Sequence, residues 1–192
     1  MTVLAEIDEV AFPEHLYDQL VGHARRKLSG AYRPDEEHAP KAYGLVGGRL
    51  ADGLAEVTHV VPLLRNQRDQ PHLKPVVDRV MDQLAVPSET PLDRRGWVSD
   101  PREVLAAEEL FDRAGASLLG GYHMHRVPWD HDPRRDGCTE VDTELASGSG
   151  LWMFILSMVD PENPILRAYF EGDNAREAPI RLNRPSGPAR PW

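Results

Sequence analysis

Residues 116–125 read ASLLGGYHMH, and the reading of this run decides the fold. Gly115 closes the segment before it, and Ala116 to His125 is apolar enough for a strand that ends in two histidines. Side chains along an extended chain alternate between the faces of a sheet, so His123 and His125 leave the same face while Met124 points the other way. Two imidazoles are thereby brought to one point.

Working outward, the segment before this strand opens with Asp100-Pro101-Arg102-Glu103, an N-cap acid with proline at the first helical position, and predicts a helix to about Ala114. After the strand come a polar loop, a short helix from Thr139 to about Ala146, a buried strand at Leu151 to Val159, a turn at Asp160 to Pro164 and a strand at Ile165 to Phe170. Toward the N-terminus, a short extended start leads into Pro13 to Leu28. There Leu16, Tyr17, Leu20, Val21, Ala24 and Leu28 share one side of a helix that Ser29-Gly30 ends. A charged, proline-containing loop at residues 31–40 precedes a strand from Lys41 to Val46, stopped by Gly47-Gly48, with a hairpin partner at Leu54 to Pro62. A polar loop at 65–75 then gives way to Val76, Val77, Val80, Met81 and Leu84 at helical spacing, followed by a loop over Val86 to Val98. Strands and helices alternate throughout, which predicts an α/β fold built as a mixed sheet flanked by helices.

The 192 residues, 41% of them hydrophobic, suit one compact domain, expected over residues 1–183 with a flexible tail at 184–192. A formal charge of -9 argues against a nucleic-acid partner, since phosphate binding needs clustered Lys and Arg. Cys138 is the only cysteine, so neither an intramolecular disulfide nor a cysteine-rich zinc site can form. The N-terminus lacks the pattern of a signal peptide and the longest apolar run, Leu151 to Val159, contains Ser157. These features predict a cytoplasmic protein with no membrane partner.

A catalytic zinc site needs three protein ligands and an open position, and a carboxylate is a suitable third donor beside His123 and His125. Asp142 is the candidate, because the helix beginning at Thr139 follows the polar loop and brings a carboxylate to the strand end if that loop folds back. Plainer readings exist for each part. His-x-His can be a solvent-facing pair, and Thr139-x-x-Asp142 matches a capping box whose side chains satisfy helix-start amides. The two roles of Asp142 are compatible, since a capping carboxylate retains an oxygen for a metal.

Taken together, KAYGLVGG (41–48), VTHVVPLLRN (57–66), LLGGYHMH (118–125) and CTEVDTELA (138–146) resemble, in order and spacing, the motifs of the JAMM (MPN) metallopeptidases. That family includes deubiquitinases and prokaryotic enzymes that process ubiquitin-like or sulfur-carrier proteins. The similarity spans roughly residues 10 to 172. It implies an MPN/JAMM (cytidine-deaminase-like) architecture and a Zn2+ ion on His123, His125 and Asp142. Thr139 stands where the family has Ser, to hold water or an oxyanion. It also implies cleavage of an amide or isopeptide bond in a ubiquitin-like or sulfur-carrier protein tail.

Three positions depart from the family pattern. Arg126 replaces the proline after the second histidine, and residues 126–138 form a slightly long connection. Lys41 stands where the general-base Glu is expected, and a lysine protonated at neutral pH cannot accept a proton. Glu37 is the candidate replacement base; Glu36, Asp130, Asp132 and Glu140 are others, and Lys41 becomes a candidate for binding a substrate carboxylate or an oxyanion. Cys138 is read as a small residue at a loop end, with a fourth ligand or a reactive thiol as the minor alternatives, and His131 as a solvated loop histidine, with lining the entrance or binding metal as its alternatives. The competing classes are an MPN-type scaffold that keeps the metal without turnover, and a metal enzyme of another fold. Cupins need a later histidine and zinc deaminases a Pro-Cys-x-x-Cys, neither of which is present. The ligand set alone also suits ferrous iron.

Overall fold

The computed structural model describes residues 3–183, so the tail expected at 184–192 lies outside the described residues. The elements run β1 (Glu9–Pro13), α1 (Glu14–Leu28), β2 (Tyr43–Ala51), β3 (Leu54–Pro62), α2 (Lys74–Leu84), α3 (Pro101–Arg113), β4 (Ser117–His125), α4 (Glu140–Ala146), β5 (Trp152–Ser157), β6 (Ile165–Phe170), β7 (Glu177–Ala178) and β8 (Ile180–Asn183), with single 3-10 turns at Leu4–Glu6 and Leu92–Arg94. The fold is α/β. All eight strands form one mixed sheet in the order β7-β6-β5-β4-β2-β3-β1-β8, coiled enough for β6 and β8 to touch. The β2–β3 and β2–β4 pairs are antiparallel, whereas β4 and β5 run parallel because α4 lies in their connection.

Alternation along the strands divides the core. Tyr122 and Phe154 join Phe12, Leu16, Leu20 and Val46 in the main core beneath α1, where Phe12 meets Phe154 edge to face at 6.2 Å. On the opposite face, Ala107 and Phe111 of α3 pack on Tyr43, Leu45 and Leu63, and α2 packs on Val141 of α4 through Val77 and Met81. His123 pairs directly with Tyr43 across β4 and β2, so the histidine face of β4 is the one covered by α2, α3 and α4. Among the described residues no helix is long and apolar enough to cross a membrane.

One expectation is corrected and two are extended. Gly47-Gly48 does not stop β2, which continues to Ala51 through a register shift. A Cβ on Gly47 would fall 2.5 Å from the Phe111 ring, and one on Gly48 would fall 2.3 Å from the Glu56 carbonyl oxygen. These glycines therefore allow close approach inside a continuing strand rather than a turn. The short extended start is β1, an interior strand parallel to both β3 and β8. The buried face of α1 also includes His23 and Lys27 beside its apolar residues. His23 Nδ1 lies 2.8 Å from the Tyr122 hydroxyl, and Lys27 donates to the Glu37 carbonyl.

Candidate metal centre

One glycine sets the position of the histidine strand. Gly120 lies against Trp152, where a Cβ would fall 1.7 Å from the carbonyl oxygen, so β4 and β5 run in a contact that no side chain could share. Three residues further on, β4 ends with His123 and His125 at the mouth of the sheet.

Loop 126–139 folds back over this strand end, and several bonds hold it there. The Ser157 hydroxyl donates to the Arg134 carbonyl, the Tyr169 hydroxyl to that of Asp136 at 3.1 Å, and the Asn174 amide group clasps Cys138 through both its N–H and its carbonyl at 2.9 Å. The fold-back starts α4 beside the histidines. Thr139 and Asp142 form a reciprocal capping box in which Asp142 Oδ2 accepts from the Thr139 N–H and hydroxyl, each at 2.8 Å. Gly172 packs on the Asp142 carbonyl, where a Cβ would come within 3.0 Å of its oxygen, and its own carbonyl accepts from Thr143 at 2.6 Å.

His123, His125 and Asp142 thus converge. The two Nε2 atoms are 3.0 Å apart; Asp142 Oδ1 is 3.2 Å from His123 Nε2, and Oδ2 is 3.4 Å from His125 Nε2. Ligands about 2.0 Å from a tetrahedral cation stand roughly 3.3 Å from one another; the Nε2 pair and the His123–Oδ1 contact are of that length, while the His125 contact is made by the other carboxylate oxygen, and one donor atom from each residue lies within 4.8 Å of the others. The donor chemistry fits as well. His125 Nδ1 is 3.0 Å from the Arg135 carbonyl, which can only accept a proton, so Nε2 of the neutral ring carries its lone pair toward the cluster. Burial is the first cause holding His125 below its ordinary pKa, which favours that neutral ring. Burial alone would raise the Asp142 carboxyl, but the imidazoles beside it, His123 foremost, outweigh that and hold Asp142 well below the usual carboxylate range.

The triad opens onto a cleft of about 910 Å³ between the sheet face and the α2–α4 side, which also contains Thr139, Glu37 and Lys41. The Thr139 hydroxyl proton is directed at Asp142, so in this arrangement it orients the carboxylate. Glu37 Oε1 accepts from Lys41 Nζ and from the Asn66 amide at 3.0 Å each, and Oε2 accepts from the Tyr43 hydroxyl at 3.1 Å. Lys41 Nζ donates also to the Gly96 carbonyl at 3.1 Å. Glu36 is drawn away to Arg26 and the Arg33 N–H, and Asp132 is bonded to the Arg135 N–H at 2.9 Å. Cys138 lies beside Met153, and burial pushes its thiol up, away from a reactive thiolate. His131 stacks on Trp129.

The sequence does not single out Trp97, Tyr43 or Arg135 as cleft residues. Trp97 stacks on Tyr43 at 4.8 Å and reaches His123 at 6.4 Å, tying the Glu37 cluster to the histidines. Trp97 sits in an irregular segment with no periodic signal, and Arg135 acts on His125 through a carbonyl, which side-chain identity does not reveal.

No protein-family model and no curated protein matches this chain. The solution structure of protein DSY2949 from Desulfitobacterium hafniense is similar with a TM-score of 0.58 and 22% identity, over 91% of this chain and 93% of that one. That of a protein from Salinibacter ruber gives a TM-score of 0.45 and 21% identity, over 94% of each chain. The first likeness concerns the fold alone.

Proposed function

We propose that this chain is a zinc-dependent hydrolase of JAMM (MPN) type that cleaves an amide or isopeptide bond, with a ubiquitin-like or sulfur-carrier protein tail as the substrate class. The observation that carries this reading is the convergence of His123 Nε2, His125 Nε2 and the two oxygens of the Asp142 carboxylate, at 3.0 to 3.4 Å, on a cleft wall. A bound zinc ion supplies Lewis acidity toward a carbonyl oxygen and acidity toward water. The chain's own groups then divide the work. Thr139 and the Arg135 carbonyl fix the ligand orientations. Glu37 takes the proton that water loses as its oxygen bonds to the carbonyl carbon, and returns it to the leaving nitrogen as the C–N bond breaks, so that amide and water become acid and amine.

Lys41, standing where the family places a carboxylate, supports a second reading: an MPN-type scaffold that binds metal and does not turn over. Its ion pair with Glu37 occupies one oxygen of the proposed base. A cleavage assay on ubiquitin-like fusions, run with and without chelator, separates the two. The hydrolase reading expects chelator-sensitive cleavage by the natural chain and a 10²- to 10⁴-fold loss, roughly, in Glu37→Gln. Cleavage by Lys41→Glu alone would place the natural chain in the scaffold class.

A further inference from the structure

One wall of the cleft holds a stacked pair whose donors lack acceptors. The Arg135 guanidinium lies 3.4 Å from the centre of the Trp129 ring, and Arg135 is only 9% exposed. Its Nη1 donates to the Val127 carbonyl at 3.1 Å. Its Nε is buried with no partner, and Nη2 has none among the described residues. The indole N–H of Trp129 is likewise buried and unpartnered.

Arg68 provides the contrast within the same protein. It is as deeply buried and also has a bare Nε, but its charge is met by Asp69 and Asp78 and its remaining N–H groups by the carbonyls of Leu92 and Asp93. No carboxylate lies within ion-pair distance of the Arg135 guanidinium among the described residues. The acids nearest in its electrostatics are committed elsewhere, Asp132 to a backbone N–H and Asp142 to the histidines. A buried guanidinium without a counter-ion is costly, and its Nε–Nη2 edge has the geometry that receives both oxygens of a carboxylate.

We propose that Arg135 and Trp129 form a subsite for a carboxylate on the substrate, so that the peptide segment cleaved beside it is acidic. This rests on the hydrolase reading for the word substrate, while the binding itself does not require metal. The carboxylate can come from a chain terminus or from an acidic side chain. Matched probes separate these: acetyl-Gly-Gly with a free or an amidated terminus, and acetyl-Gly-Asp-amide against acetyl-Gly-Asn-amide.

The test is calorimetric titration of the chelator-stripped full chain with these four peptides, followed by cleavage assays of the same set with zinc restored. At least one acidic member is expected to bind about tenfold or more tightly than its neutral partner. Arg135→Gln should abolish that preference, and Trp129→Phe, which keeps the stack and removes the N–H, should reduce it severalfold. Equal binding of acidic and neutral members by the natural chain overturns the proposal, as does a preference that survives Arg135→Gln with an unchanged circular dichroism spectrum. If Arg135→Gln does not fold, the natural chain and Trp129→Phe decide, and a preference untouched by Trp129→Phe overturns it. A carboxylate preference without cleavage of any probe leaves the subsite standing and counts against the hydrolase, whereas cleavage without preference does the reverse.

Discussion

Thr139 performs two tasks with one hydroxyl: it accepts from the Asp142 N–H at 3.2 Å to start α4 and donates to the carboxylate that faces the histidines. Helix capping and the orientation of a candidate metal ligand are therefore coupled at one residue. Thr139→Val keeps the shape and removes both bonds. We expect it to lower stability by about 1 kcal/mol through the lost cap and to weaken zinc binding by roughly 10- to 100-fold through the loosened carboxylate. Denaturant unfolding of the metal-free chain and a competition titration with a chromophoric chelator measure the two effects separately. A change in stability with unaltered zinc affinity would reduce Thr139 to a cap.

Among the elements, β4 with its close contact at Gly120 governs the site. Gly120→Ala forces a Cβ into the Trp152 carbonyl, and the strands must part for it. Overpacking at such a contact costs about 1–3 kcal/mol, and because β4 carries both histidines the same change should also displace the cluster. Chemical denaturation together with zinc titration checks this, and an unchanged midpoint would contradict the packing. The strand and the direction of its histidines are legible in ASLLGGYHMH, because the period of two in an extended chain leaves no other assignment. The α3 start is legible too, and Asp100 does accept from the Arg102 N–H, but Glu103 serves the amides of Leu64 and Arg65 instead of its own helix end. Gly47-Gly48 misleads as a strand stop because its glycines answer to partners outside the run: Gly47 to Phe111, more than sixty positions away, and Gly48 to the Glu56 carbonyl and Leu119. β7 and β8 are too short to show a pattern, and β8 exists through its pairing with β1.

Across the whole molecule, the sheet separates an acid-sensitive core from the cleft. His23 is held down at about 4, against 6.5 ordinarily, first by burial and then by the charges of Arg26 and Lys27. Between those values the unfolded chain binds a proton that the folded chain refuses, so the His23 contribution is complete above pH 6.5 and is lost as the pH falls toward 4, by roughly 3 kcal/mol. Glu36 extends the loss. The Arg26 hydrogen bonds, opposed by burial and assisted by the Arg33 N–H, lower it from 4.5 to about 2, and this contribution disappears as pH falls through that window. The midpoint of urea unfolding of the metal-free chain should decline steadily from pH 6.5 to 4. His23→Gln should flatten that decline, and a variant as steep as the natural chain would contradict the assignment.

The fold and the proposed chemistry meet in one candidate cation site between a strand and the helix that returns to it. Dialysis of the purified chain against zinc, followed by elemental analysis of the natural chain, His123→Ala, His125→Ala and Asp142→Ala, tests this most directly. We predict close to one zinc per natural chain and below about a tenth of that in each variant, with each variant still folded by circular dichroism. A natural chain that emerges without metal, or folded variants that keep their full zinc, would contradict it.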